Sequence, residues 1–215
     1  MITNLLIGLP GQRPGGLVLT IIVAVGSAVC AVVLGMAYAS VCVMAPRASL
    51  LLQSVLALLR GIPLILLIFA LAQTSSVSLP VAGFIGLVLY SLCHVGETLR
   101  SFLAAHPRAL DDQARLLGLG ALRRLLTLRL PWTFRRSLDA LATHWISLLK
   151  DTGALVVLGV GELTTVTKVL SETGSLRDWQ LVLLTAGLLY LATAVLLIGF
   201  LRWVKTRYLL EGAPK

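Results

Sequence analysis

From Gly16 to Met44 the chain reads GLVLTIIVAVGSAVCAVVLGMAYASVCVM, without one charged residue. About 20 mostly apolar residues suffice to cross a bilayer as a helix, so this stretch alone predicts a membrane span. Four more apolar stretches follow. Residues 50–73 are broken only by Arg60. Leu79–Ala104 carries Glu97 and Arg100 near its end. Residues 138–160 are interrupted by Lys150 and Asp151, and residues 181–204 are uncharged up to Arg202. The pattern predicts an all-α integral membrane protein, a single transmembrane domain over residues 1–215 with spans near 16–44, 50–73, 79–104, 138–160 and 181–204.

Composition agrees. Of 215 residues, 58% are hydrophobic and 13% charged, against roughly 45–50% and about 25% in soluble domains. A chain this short cannot bury so much apolar surface in one aqueous core, and disordered chains are polar. The three cysteines, Cys30, Cys42 and Cys93, lie in apolar runs, where cysteine acts as a small hydrophobe. Neither they nor the three histidines have metal-ligand spacing. The formal charge of +9 points to cytoplasmic membrane loops rather than nucleic acid. The first apolar run is too long for a signal-peptide core, and only Arg13 precedes it, so it is expected in the mature chain. The alternation of a transmembrane barrel is missing.

Charge placement gives the orientation. Eight arginines (Arg100, Arg108, Arg115, Arg123, Arg124, Arg129, Arg135 and Arg136) face only Asp111 and Asp112 between spans three and four. The tail holds Arg202, Lys205, Arg207 and Lys215 against Glu211, and Arg47 lies between spans one and two. The 74–80 connection is uncharged. The last one is balanced by Glu162, Lys168, Glu172, Arg177 and Asp178. The positive-inside rule then sets the N-terminus outside and the C-terminus inside. The cytoplasmic loop, about 105–136, is expected to be structured. Pro107 suits a helix start, Asp111 and Asp112 suit the positive end of the helix dipole, and a short helix over 109–117 stops near Gly118 and Gly120. A second basic run over 121–130 stops at Pro131. Such helices either dock on a partner or lie on anionic lipid.

A charge near the bilayer centre costs about 2.5–3.5 kcal/mol on insertion scales and so tends to face a partner or a wet cavity. Glu97 and Arg100 are three apart and share a helix face. Glu97 or Asp151 is a candidate acceptor for a cationic group on a solute, and Lys150 or Arg100 a candidate donor to an anionic one. The alternative is an ion-pair network between spans three and four. Thr152 and Gly153 are placed to loosen the helix beside a cavity. Arg60 precedes Pro63, which can kink span two; it is either a pathway group or an interfacial anchor. His94, one turn before Glu97, either titrates near neutral pH or makes an interhelical hydrogen bond. His106 and His144 carry no pattern. Residues 162–172 read as an amphipathic helix outside, either a docking face or a solvated one.

The wording of the loop adds a resemblance. Asp112-Gln113-Ala114-Arg115-Leu116-Leu117-Gly118, followed thirteen residues later by Pro131, resembles the E-A-A-x-x-x-G loop of ABC importer permeases, with Asp112 and Gln113 as departures. Leu59-Arg60-Gly61-Ile62-Pro63-Leu64 resembles the R-G-T-P-L stretch of the polar amino-acid permeases, and Gly96-Glu97-Thr98-Leu99-Arg100 their A-E-x-x-R-G. Lys150-Asp151-Thr152-Gly153, Gly159-Val160 and Glu162-Leu163-Thr164 resemble K-D-T-S-L…G-V-P-E-L-T. Departures fall at Ile62, Ser101, Gly153 and Gly161. The pieces keep their order from about Gly16 to Arg207, so the chain resembles permease subunits of the histidine, glutamate, glutamine, arginine and opine type.

That resemblance implies uptake of polar amino acids, or of a related solute such as an opine, across a bacterial cytoplasmic membrane. It implies as partners a cytoplasmic ABC ATPase dimer, a second permease subunit and an extracytoplasmic substrate-binding protein. The chain has no G-x-x-x-x-G-K-[ST] loop, so ATP and Mg are expected on the partner ATPase and no cofactor on this chain. The short helix near 107–118 would couple to the ATPase, with Asp112, Ala114, Arg115, Gly118 and Pro131 as the residues concerned: Gly118 for a sharp turn, Ala114 for close approach, Arg115 for acids on the ATPase. A membrane enzyme would need a nucleophile–base or metal constellation, and none is visible. The structured loop argues against a self-contained channel.

Overall fold

The computed structural model describes residues 1–11, 14–74, 76–173 and 178–209. They are almost wholly helical, with no strand among them. A short α1 (Ile2–Ile7) precedes α2 (Gly16–Met44), then come α3 (Pro46–Arg60), α4 (Leu64–Thr74), α5 (Leu79–Ala104), α6 (Arg108–Leu116) and α7 (Ala121–Arg124). A π-turn over Leu125–Arg129 leads into α8 (Leu130–Asp151), which tightens to a 3-10 helix over Thr152–Leu158. Then follow α9 (Leu163–Thr173) and α10 (Asp178–Val204).

The centre of the bundle is α2 against α5. Their facing stripe is small: Ala24, Ser27, Ala28, Ala31, Gly35 and Ala39 are buried on α2. In lipid the hydrophobic effect does not drive helices together, so small residues that admit close backbone packing do so instead. A Cβ on Gly35 would stand 3.2 Å from the Gly96 Cα. The opposite faces remain apolar and exposed, as at Val29 and Val33 on α2 and Leu184, Leu188 and Leu196 on α10, which suits hydrocarbon.

Three helices, α2, α5 and α10, are long and apolar enough to cross a membrane. Expectation and structure coincide over Gly16–Met44 and Leu79–Ala104. Residues 50–73 do not form one straight helix. They divide between α3 and α4, which meet at 100° and together make a fourth crossing only as a bent pair. The break is at Gly61-Ile62-Pro63. Proline has no N–H to continue the ladder and forces the preceding residue out of the α region. Residues 138–160 also differ. The helix begins earlier, at Leu130, and its α geometry ends at Asp151. Pro131 does not stop the second loop helix. The π-turn just before it widens the backbone where the proline ring would meet the carbonyl one turn back, so α7 runs through into α8.

The end of the bundle near the N-terminus is closed by a polar tie. Gly16 N–H donates to the Gly161 carbonyl at 2.8 Å, and Leu5 packs with Leu163, Val166, Val182 and Ala186. The first residues of α9 are buried, so that helix is docked on the fold rather than free on its surface.

Candidate functional site

Two adjoining cavities, of about 310 and about 230 Å³, run along the junction of α5 and α8. The larger is lined by Tyr90, Ser91, His94, His144, Ser147 and Asp151. The smaller is lined by Arg60, His94, Glu97, Thr98, Ser101 and His144. His94 and His144 belong to both, so the two cavities adjoin and put polar side chains along one face of an apolar bundle.

Helix geometry explains why these residues meet. On α5 the positions 90, 94, 97 and 101 recur at three and four, one face of a 3.6-residue helix. On α8 the positions 144, 147 and 151 do the same. Where the two stripes face each other, the rings of His94 and His144 lie 5.9 Å apart. His94 Nδ1 donates to the Tyr90 carbonyl at 3.0 Å, a bond within its own helix rather than the interhelical one expected. His144 Nε2 lies 3.2 Å from Thr98 Oγ1, which itself donates to the His94 carbonyl at 3.0 Å.

The charges have different standing. Arg100 Nε donates to Glu97 Oε2 at 2.9 Å, and a second, shorter bond joins Arg100 Nη2 to Glu97 Oε1. Tyr38 Oη adds a bond from α2 at 3.3 Å. Glu97 and Arg100 therefore neutralise each other within α5. Arg60 Nη2 donates to the Cys93 carbonyl at 3.1 Å, which brings the end of α3 to the smaller cavity. Asp151 lines the larger cavity and its carboxylate accepts no hydrogen bond among the described residues. Lys150, one residue away and so about 100° around the helix, is exposed and outside both cavities. Thr152 is buried and donates to the Leu149 carbonyl at 2.8 Å, so it faces inward. The predicted loosening is real in a different form: the α-helix gives way to 3-10 at Thr152.

The loop between α5 and α8 places the other group. Asp112 and Arg115 are exposed on α6, and Leu116 and Leu117 project beside them, Leu116 at 89% exposure. Gly118 has φ of +76°, and a Cβ there would meet nothing within 4 Å. The turn thus requires glycine for backbone reasons alone. Ala114 departs from expectation. It is 4% exposed and lines a cavity with His106, Pro131 and Trp132, so it faces the start of α8 and not outward. His106 is buried with its ring edge-on to Trp132, centroids 5.2 Å apart. Burial, and then the Arg129 charge, push its pKa below the usual histidine value.

Three residues escape a linear reading. His144 and Ser147 show only when α8 is read as a stripe ending at Asp151. Glu162, fully buried, caps α9 by accepting from the Thr164 and Thr165 N–H groups, each at 2.8 Å, and from Thr165 Oγ1 at 3.1 Å and Tyr190 Oη at 3.3 Å. A glutamate just before a helix start is a visible capping signal, but its burial among hydroxyls of α2 and α10 is not. Among the described residues, no group of three His, Cys, Asp or Glu side chains could hold a metal.

Comparison with known proteins places this geometry. Residues 31–209 match the binding-protein-dependent transport system inner membrane component, and the chain belongs to that family. It is 29% identical over 119 residues to the arginine ABC transporter permease protein ArtQ of Haemophilus influenzae, covering 50% of this chain and 54% of that protein. It is 29% identical over 131 residues to the probable glutamine ABC transporter permease protein GlnP of Bacillus subtilis, covering 59% and 58%. The chain thus spans about half the length of the curated relatives it matches. Its fold is that of a crystal structure of an amino acid ABC transporter with histidines (TM-score 0.76, 19% identity, 89% of this chain and 92% of that one). It matches equally an inward-facing MetNI methionine ABC transporter (TM-score 0.76, 15% identity, 87% and 92%).

Proposed function

We propose that this chain is the permease subunit of an ATP-binding-cassette importer for polar amino acids. The observation that carries the reading is the α5–α8 groove: polar side chains, with one carboxylate that accepts no hydrogen bond among the described residues and two neighbouring imidazoles, on a bundle otherwise built for lipid. Family membership and the likeness to permeases named for arginine and glutamine support it. In this reading the chain crosses a bacterial cytoplasmic membrane five times, N-terminus outside, with α3–α4 as a bent crossing and α8 with its 3-10 extension as another. The asymmetry of arginines supports that orientation.

Each element then has a task. Asp151 accepts the substrate ammonium, because its carboxylate accepts no hydrogen bond among the described residues. Arg60, at the other end of the groove, is too far away for the adjoining α-carboxylate and supplies donors for an acceptor on the substrate's side chain. Glu97 and Arg100, already paired, hold α5 and its stripe in register against α2 through Tyr38. α6 seats on a partner ATPase, which binds ATP and Mg, through its exposed Asp112, Arg115, Leu116 and Leu117. Gly118 lets the chain turn back toward α8, so that movement of the ATPase is passed to the helix carrying half of the groove. A second permease subunit closes the open side of the groove, and a binding protein delivers the solute from outside.

The test is assembly and coupling. The chain is co-expressed with an ABC ATPase, a partner permease and a binding protein, and ATP hydrolysis is followed across a panel of amino acids and opines. Hydrolysis should rise with loaded binding protein. Gly118→Leu, which imposes about 1–2 kcal/mol of left-handed backbone strain, should abolish the rise while leaving basal hydrolysis. Hydrolysis indifferent to every loaded binding protein would sink the proposal.

A further inference from the structure

A third cavity, of about 230 Å³, lies where the end of α2 meets α6 and α7, lined by Val43, Met44, Asp111, Arg124, Leu125 and Arg129. Its charges do not balance. Asp111 Oδ1 is 3.5 Å from Arg124 Nε, and Arg124 Nη1 donates to the Leu119 carbonyl at 2.7 Å. Arg129 has no such company. Its Nε, like Arg124 Nε and Asp111 Oδ1, is buried without a hydrogen-bond partner among the described residues, and no acceptor there takes its other donors. The other charged neighbour, His106, is held toward its neutral form. Two guanidinium groups therefore share one cavity with a single carboxylate.

A half-buried guanidinium lacking an acceptor is costly, and its planar fork matches the oxygens of a phosphate or a carboxylate. The remaining wall settles which. Val43, Met44 and Leu125 are apolar, and Met44 is 52% exposed at the end of a membrane-crossing helix. That is the depth at which hydrocarbon gives way to headgroups. Leu122 and Leu126 project from the neighbouring turns. An arginine pair beside an apolar wall at this depth fits a phosphodiester with its acyl chains alongside.

We propose that this cavity binds the headgroup phosphate of an anionic phospholipid, held by Arg129 and Arg124. Arg124 is then shared between the lipid and Asp111, so lipid binding loosens the tie between α6 and α7. The assignment to the cytoplasmic leaflet rests on the orientation proposed above.

The full chain, purified in mild detergent and stripped of lipid, is titrated with phosphatidylglycerol, phosphatidylcholine or inorganic phosphate, with bound adducts read by native mass spectrometry. Phosphatidylglycerol should be retained over phosphatidylcholine, and retention should fall about tenfold in Arg129→Gln, a ratio corresponding to about 1.4 kcal/mol. Asp111→Asn, which frees Arg124, should raise retention about threefold, a gain that misfolding cannot imitate. Equal retention in wild type and Arg129→Gln, or a fall in Asp111→Asn, overturns the proposal. Displacement by inorganic phosphate at matched concentration overturns its lipid part. Labelling Arg123→Cys from either side of the membrane tests the orientation separately: labelling from outside would move the site to the other leaflet and leave the arginine dependence intact.

Discussion

Asp151 and Glu97 are both carboxylates in the middle of apolar sequence, and the structure predicts opposite consequences for removing their charges. Asp151→Asn removes a carboxylate that lines the groove and accepts no hydrogen bond within the described chain. A hydrogen bond to a charged group is worth about 1.5–3 kcal/mol, so the variant should bind an amino acid about 10- to 150-fold more weakly, at 1.4 kcal/mol per tenfold. Its stability should move by no more than about 0.5 kcal/mol, as for a substitution that breaks no contact. Glu97→Gln breaks the paired bonds to Arg100 and weakens the one to Tyr38. Both partners are about one-third exposed, so the loss of stability is discounted to about 1 kcal/mol, with a smaller effect on binding. The assay is direct binding of radiolabelled amino acid to the permease assembly in nanodiscs without binding protein, whose own affinity would mask the groove, alongside thermal melting. Wild-type binding in Asp151→Asn, or weaker binding in Glu97→Gln than in Asp151→Asn, would refute the assignment of the two carboxylates.

Four further outcomes follow from the local surroundings of single residues. A Cβ at Gly16 would overlap the Leu5 carbonyl oxygen at a φ of +55°, so Gly16→Ala should lower the melting temperature sharply. Gly187→Ala on exposed α10, where a Cβ meets nothing within 4 Å, should hold or raise it by the equivalent of about 0.5–1 kcal/mol. Glu162→Ala takes the carboxylate acceptor from two backbone and three hydroxyl donors and should cost more than about 3 kcal/mol, seen as fast hydrogen exchange in α9. His106 has a folded pKa below its unfolded value. Its neutral form therefore favours folding equally above both values, and stability falls as pH drops below the unfolded value of about 6.5. Proteolysis of the 105–136 loop should accelerate from pH 7.5 to pH 5.5 in wild type and lose that dependence in His106→Asn.

The apolar spans are legible because length and hydropathy alone decide them. Gly16–Met44 and Leu79–Ala104 need no partner to be recognised. The loop helix is legible for a local reason as well, since Gly118 and its positive φ end α6 within a residue of the expected stop. The elements that differ are those where local rules compete. Pro63 breaks its span, while Pro131 sits in a continuous helix, because a π-turn upstream absorbs the second proline but nothing relieves the first. The site was half legible. Its charges stand out against an apolar background, but which are free is a matter of packing. Arg100 is spent on Glu97, Lys150 turns away from the groove, and His144 enters it only because α8 lies against α5.

The central claim is that this chain forms a driven, one-way path for an amino acid. The most direct measurement is uptake into proteoliposomes holding the permease, its ATPase and ATP inside, with loaded binding protein outside. The account predicts accumulation against a gradient that stops without ATP or without binding protein. Downhill flux needing neither, or no accumulation of any amino acid while the assembly hydrolyses ATP, would contradict it.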